Sequence, residues 1–125
     1  KLPENKKFGT GRCSAREMVR LMELLERGEV IDAAASREML TLMKREQGGQ
    51  GIWRAWWKYP KATKAGALDH LRSNVGLLYH PRGRVALAIT CDDMPEIVWT
   101  VDNPALLLMA QLSELVTEGL LPSSR

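Results

Sequence analysis

A chain of 125 residues, 45% hydrophobic and 26% charged, carries enough apolar material for one packed domain or part of one, and this composition excludes disorder as the default. A formal charge of +3 is too mild for a typical nucleic-acid binder, which gathers Lys and Arg on one face. No apolar run approaches the ~20 residues of a membrane span, and no signal peptide is legible. A chain opening at Lys1 rather than Met is expected to be a processed or cut piece, so the missing signal leaves the parent protein's compartment open.

Lys1–Arg12 is basic and aperiodic and reads as a leading loop. Ser14-Ala15-Arg16-Glu17 is a capping box: the serine hydroxyl can accept from the third helical N–H while the glutamate reaches back. Met18, Leu21, Met22 and Leu25 then fall on one helical face, and Gly28 is placed to end the helix, which is predicted over Ser14–Glu29. Asp32 can cap a second helix running to about Arg45, with Ala35, Met39, Leu42 and Met43 on its buried side. Gln47–Gly51, with three glycines in five residues, breaks it. Trp53, Trp56 and Trp57 follow at near-helical spacing, ended by Pro60.

After Pro60 the pattern changes to strands over Lys61–Leu68, Asn74–His80 and Arg84–Cys91, with Pro81-Arg82-Gly83 supplying a hairpin between the last two. Asn103-Pro104 pairs an N-cap with a proline at the first helical position. Leu107, Leu108, Gln111, Leu112, Leu115 and Val116 build an amphipathic helix that stops near Gly119. The second and third strands are apolar at nearly every position, as in a sheet covered on both faces. The first expectation is that the sheet continues and something outside this chain completes the core; the alternative is that the first two helices cover the second face.

Cys13 and Cys91 are too far apart for a C-x-x-C motif, and His70 and His80 fit no metal spacing beside them. Buried thiols are the first expectation for the cysteines and a disulfide the alternative. Both histidines are expected to be solvated in turns. Trp53, Trp56, Trp57 and Tyr59 are expected to fill the gap between helix and sheet, with a rim that stacks on a sugar or an acyl side chain as the alternative. Met18, Met22, Met39 and Met43 are expected to pack between the helices.

The most informative residues are Lys64-Ala65-Gly66. A lone K-x-G is weak, and an isolated strand lysine is more often a solvated edge charge. Here it continues as Ala67-Leu68-Asp69, then Arg72-Ser73-Asn74-Val75-Gly76, an apolar strand, a Pro-Arg-Gly hairpin and another apolar strand. This order resembles the K-T-G strand of class A β-lactamases and penicillin-binding-type serine hydrolases. The two helices before it and the helix after it resemble that family too, so the likeness runs from about Gly11 to Leu120. It implies an α+β fold: the C-terminal part of the β-lactamase/transpeptidase-like fold, an antiparallel sheet with three strands here, an N-terminal helix pair, and a C-terminal helix packed on the sheet. All of 1–125 would be the C-terminal portion of one serine-hydrolase domain, comprising a helix pair at 14–45, strands at 61–91 and a closing helix at 103–119.

By that resemblance Lys64 would supply a fixed positive charge for a substrate carboxylate and for proton transfer at the nucleophile, and the backbone N–H of Ala67 would be one of two oxyanion donors. Gly66 would keep the strand low enough for substrate to lie along its edge, beside Ala65, while Arg72 and Asn74 could reach a substrate carboxylate. Arg72 is equally well read as a turn-end charge paired with Asp69. The family's hydroxyl residue is replaced by Ala65. Ser14, Ser36, Ser73 and Ser113 are followed three residues later by Glu17, Met39, Gly76 and Val116, never by the lysine of S-x-x-K, and Ser123 and Ser124 leave no room for the motif. No S-D-N is present.

The nucleophile is therefore expected from an N-terminal half of the same protein, absent here, so that this chain alone would be inactive. The expected substrate is a small-molecule β-lactam or peptidoglycan-like amide or ester. No metal or organic cofactor is implied, and no nucleic acid. The resemblance implies a periplasmic or secreted location. The alternative is a binding or assembly module that kept the fold and lost the chemistry. A small basic nucleic-acid domain is a third and weaker reading, against which the near-balanced charge argues.

Overall fold

A computed structural model describes residues 11–45 and 50–122. Its elements run α1 (Ala15–Arg27), α2 (Ala33–Arg45), β1 (Lys61–Leu68), β2 (Leu71–His80), β3 (Gly83–Cys91) and α3 (Pro104–Leu120). The strands form one antiparallel sheet in the order β1-β2-β3. The leading-loop assignment for residues 1–10 and the break at 46–49 lie outside the described residues.

Local chemistry sets the helix ends. The Ser14 hydroxyl accepts from the Glu17 N–H, and the Glu17 carboxylate accepts from the Ser14 N–H in return. The Ser14 N–H, and after it the Ser14 hydroxyl at 2.9 Å, donate to the Glu17 carboxylate and hold that carboxyl below its usual value. Gly28, at φ 76°, donates to the Leu25 carbonyl while Glu29 donates to Leu24, the paired closure that a left-handed residue permits. Asp32 caps α2 through its bond from the Ala35 N–H. Asn103 caps α3 by accepting from Ala105 and Leu106, just before Pro104.

The pleat sends alternate residues to opposite faces of the sheet. On one face Ala62, Val75 and Leu77 meet Met22, Leu25 and Leu40 of the helix pair, with Met18, Met39 and Met43 filling around them. On the other, Leu78 and Val85 meet Ile52, Trp53 and Met109. α1 lies over β3, α2 over β1, and α3 crosses the opposite face. Tyr79 ties the first face together: its hydroxyl donates to Glu26 of α1 at 2.9 Å, Arg84 pairs with the same carboxylate, and the Lys44 ammonium sits 4.2 Å from the Tyr79 ring centroid.

Burial, then the Glu26 carboxylate, pushes the Tyr79 phenol well above the ordinary tyrosine value. The folded state thus holds the proton more tightly than the unfolded chain does. The stability linked to that difference is complete below about pH 10, and it is lost as pH rises through the phenol's raised folded value. Tyr79→Phe should flatten the alkaline limb of the unfolding midpoint plotted against pH. Parallel limbs for the two proteins would contradict this.

Several expectations change. β2 starts at Leu71 rather than Asn74, because Asp69 and His70 alone make the turn and pairing runs to Leu68↔Leu71. The tryptophan stretch forms successive turns that end before Pro60. Trp53 is fully buried and the half-buried Trp56 and Tyr59 pack against the same core, whereas Trp57 is 72% exposed, so the core expectation fails at Trp57. On α2 the buried residues are Ser36 and Leu40, while Leu42 is exposed. Ser36 replaces an apolar contact by closing the α1–α2 loop, since its hydroxyl donates to the Val30 carbonyl and accepts the Val30 N–H. Both cysteines are free thiols; Cys13 is exposed, and burial raises the half-buried Cys91 thiol.

The largest change is on α3. The leucines that define its apolar face (Leu107, Leu108, Leu112, Leu115) and Val116 are exposed, and the sheet instead receives Ala105, Met109, Ala110, Ser113 and Thr117. Polar anchoring decides that rotation. Ser113 Oγ accepts the Trp53 N–H at 2.8 Å, and Thr117 Oγ1 accepts the Trp53 indole N–H at 2.8 Å. Both hydroxyls are fully buried, where an unmade bond costs ~1–3 kcal/mol.

Candidate active-site edge

β1 is an edge strand, and from Lys64 to Leu68 it is exposed. The Tyr79 N–H donates to the Pro60 carbonyl at 2.9 Å, which sets the alternation of bonded pairs up the β1–β2 ladder. Counting from that bond, residues 62, 64, 66 and 68 exchange hydrogen bonds with β2. The N–H and C=O of Ala65 and Ala67 therefore point outward, away from the sheet. An extended ligand laid along this edge would meet two donors and two acceptors from Ala65 and Ala67 with nothing larger than a methyl group between them.

Lys64 belongs to the helix-pair face, in register with Val75. Its ammonium reaches to the outer edge and donates to the Ala65 carbonyl at 3.0 Å. Positive charge and outward backbone groups thus share one strip. Gly66 lies between them, and a Cβ added there would come no nearer than 4.0 Å to Ser73 Cβ. Nothing among the described residues requires that glycine. Gly76 differs, since a Cβ there would stand 2.5 Å from the Ala62 carbonyl oxygen, and at Gly51 it would stand 1.8 Å from Asn74 Oδ1. Gly66→Ala should accordingly change folding stability by less than ~0.5 kcal/mol in denaturant titrations, and a loss of ~2 kcal/mol or more would show an internal role.

Arg72 and Asn74 are not brought to Lys64. They sit on the opposite face, in register with Ala67 and Ala65, and are 4% and 6% exposed. The Arg72 guanidinium donates to the carbonyls of Leu68, Leu71 and Val98 and stacks 4.5 Å from the Trp99 ring centroid. No ion pair with Asp69 forms; the guanidinium fastens the β1–β2 turn to the segment before α3. His70 joins that clamp through its ring nitrogen at 2.6 Å from the Met94 carbonyl. Asn74 accepts the Ile52 N–H at 3.1 Å and donates to the Ser73 carbonyl at 2.8 Å. Ala65, Gly66, Ala67, Arg72 and Asn74 do line one small cavity of about 160 Å³, but it lies on the α3 side of the sheet, behind the edge that carries Lys64.

The serines at 14, 36, 73 and 113 are all engaged structurally. Ser14 and Ser36 act as described above, Ser73 Oγ lies 2.8 Å from Thr90 Oγ1 across β2 and β3, and Ser113 donates to the Ala110 carbonyl. Sequence reasoning missed the structural duties of Arg72, Ser113 and Thr117. The signal was a polar residue within an apolar period, which reads as a solvent-facing position unless its partner is known.

An edge strand with an outward lysine, a low Ala-Gly-Ala strip, a helix pair on one face and a closing helix on the other is a β-lactamase-like α+β arrangement. The model of the Beta-lactamase enzyme family matches residues 1–120, and the chain belongs to that family. Among solved structures, the chain is similar to PBP-A at 23% identity and a TM-score of 0.72, covering 94% of this chain and 43% of that one. It is similar to the TLA-3 extended-spectrum β-lactamase at 18% identity and a TM-score of 0.74, covering 87% and 42%. A β-lactamase from Sphaerobacter thermophilus DSM 20745 aligns at 19% identity and a TM-score of 0.67, covering 86% and 41%. Identities this low establish a shared fold, and the chain spans less than half the length of these structures. No curated protein matches the chain. Among the described residues no helix is long and apolar enough to cross a membrane.

Proposed function

We propose that this chain is the lysine-strand half of a hydrolase that works through a serine acyl-enzyme on a β-lactam or a related amide or ester. The outer edge of β1 carries this proposal: Lys64 and the outward backbone of Ala65 and Ala67 lie on one exposed strip. The Ala67 N–H would hold the developing oxyanion, a contact worth ~2.7–4 kcal/mol in such sites. Lys64 would attract the substrate carboxylate and ease proton movement at a serine contributed by an N-terminal half of the same protein. Two features support that half as partner. The Leu107–Leu115 face of α3 is exposed, and β3 ends the sheet with an unpaired outer edge among the described residues. A complementary strand and helix would cover both. The family places such enzymes in the periplasm or outside the cell, and we carry that location over as part of the proposal.

Exposing the complete protein to a fluorescent penicillin-type probe tests this directly. Stoichiometric labelling of a serine upstream of Lys1 is the expected result. No labelling by a folded protein at saturating probe would overturn the proposal and favour a non-catalytic binding module. Ala65 is the observation on that side, since it offers no hydroxyl for a substrate carboxylate.

A further inference from the structure

At the far end of the sheet, the turn before β1 and the β2–β3 hairpin enclose an open groove of about 870 Å³. Trp56, Tyr59 and His80 form its wall, with ring centroids 4.3–5.7 Å apart in tilted and edge-on arrangements. Trp57 stands at the lip, 72% exposed, with the Lys58 ammonium 5.5 Å from its ring centroid. Arg82 and Glu118 close the opposite side as a 3.1 Å ion pair. The Arg82 N–H donates to His80 Nδ1 at 3.1 Å, which leaves the Nε2 side of the ring free of that bond.

From these residues we infer that the groove binds a neutral saccharide chain. Aromatic rings offer flat apolar surface against the C–H faces of a sugar, and the polar tips of such residues meet its hydroxyls. Guanidinium and carboxylate are planar and multidentate, which suits vicinal hydroxyl pairs. Glu118 pairs with Arg82, so these two groups face the groove as a neutral hydrogen-bonding pair, while the Lys58 ammonium stands apart at the lip over Trp57. The volume lies within the ~300–1,000 Å³ of small-ligand clefts and is too small for a folded partner. At ~3.3 Å per residue, Ala67 lies ~20 Å along β1 from its first residue, so an occupied groove leaves the lysine-bearing edge open. The inference therefore does not depend on hydrolase chemistry at that edge.

The test is calorimetric titration of the complete protein with two uncharged probes, β-1,4-linked N-acetylglucosamine tetrasaccharide and cellotetraose. Millimolar or tighter binding of at least one is expected. Trp57→Ala, a change at an exposed ring, should weaken it at least ~10-fold, and Glu118→Gln by several-fold. Acylation by a penicillin-type probe should be the same in wild type and Trp57→Ala, which separates the two sites. No heat with either probe up to ~10 mM, or equal affinity in wild type and Trp57→Ala, would overturn the inference.

Discussion

Replacing Lys64 by alanine in the complete protein should slow acylation by a penicillin-type substrate by ~10²–10⁴-fold while leaving the unfolding midpoint unchanged. The two parts of that expectation have separate causes. Lys64 is exposed and its ammonium leans on the strand's own edge rather than on the core, so removing it opens no cavity. In the proposed site its charge is what the substrate carboxylate and the reacting serine would feel. Lys64→Arg keeps the charge but changes its reach, and it should recover part of the rate. A loss of less than threefold in Lys64→Ala would remove the lysine from the chemistry and leave the edge as a docking strip.

Trp53→Ala should cost ~3–5 kcal/mol of folding stability, the largest single loss expected from any one truncation in this chain. Trp53 is completely buried, joins Leu78, Val85 and Met109 in the core, and is held at φ 57°. For a bulky side chain that conformation is itself unfavourable by ~1–2 kcal/mol, so the surrounding contacts over-determine it. Two of them are the bonds to Ser113 and Thr117, made across 60 and 64 residues of sequence. Trp53→Phe keeps most of the apolar volume and strands the Thr117 hydroxyl, at ~1–3 kcal/mol. Adding Thr117→Val removes the stranded partner, and the double variant should lose less than the sum of the single losses. Strict additivity in chemical denaturation would show that the indole bond contributes nothing.

The helix ends, the strand β1 and the order of elements were legible in the sequence because each rests on local chemistry. Ser14, Gly28 and Asn103-Pro104 act within four residues of themselves, and the period change after Pro60 needs no tertiary knowledge. Lys64 to Ala67 was legible as part of a strand. The face of α3 was not, because its leucines outweigh in hydrophobicity the serine and threonine that determine which side turns inward. Arg72 misled for a similar reason. A guanidinium beside a lysine strand looks like a ligand contact until three backbone carbonyls are seen to consume it. Trp57 escaped the core expectation because spacing alone does not tell a filled gap from an open groove.

Gly76 has a further consequence for the edge strand. The place where a side chain would begin is already occupied by the Ala62 carbonyl, the Thr63 methyl and the Trp53 ring, so β1 meets β2 at a notch that fits in one position. Sliding β1 by a single residue would invert its pleat, turning Lys64 to the side of Arg72 and reversing which peptide groups face outward. The notch thus works as an address. It fixes where along the strand, and on which side of the sheet, a positive charge and an outward N–H can be presented together.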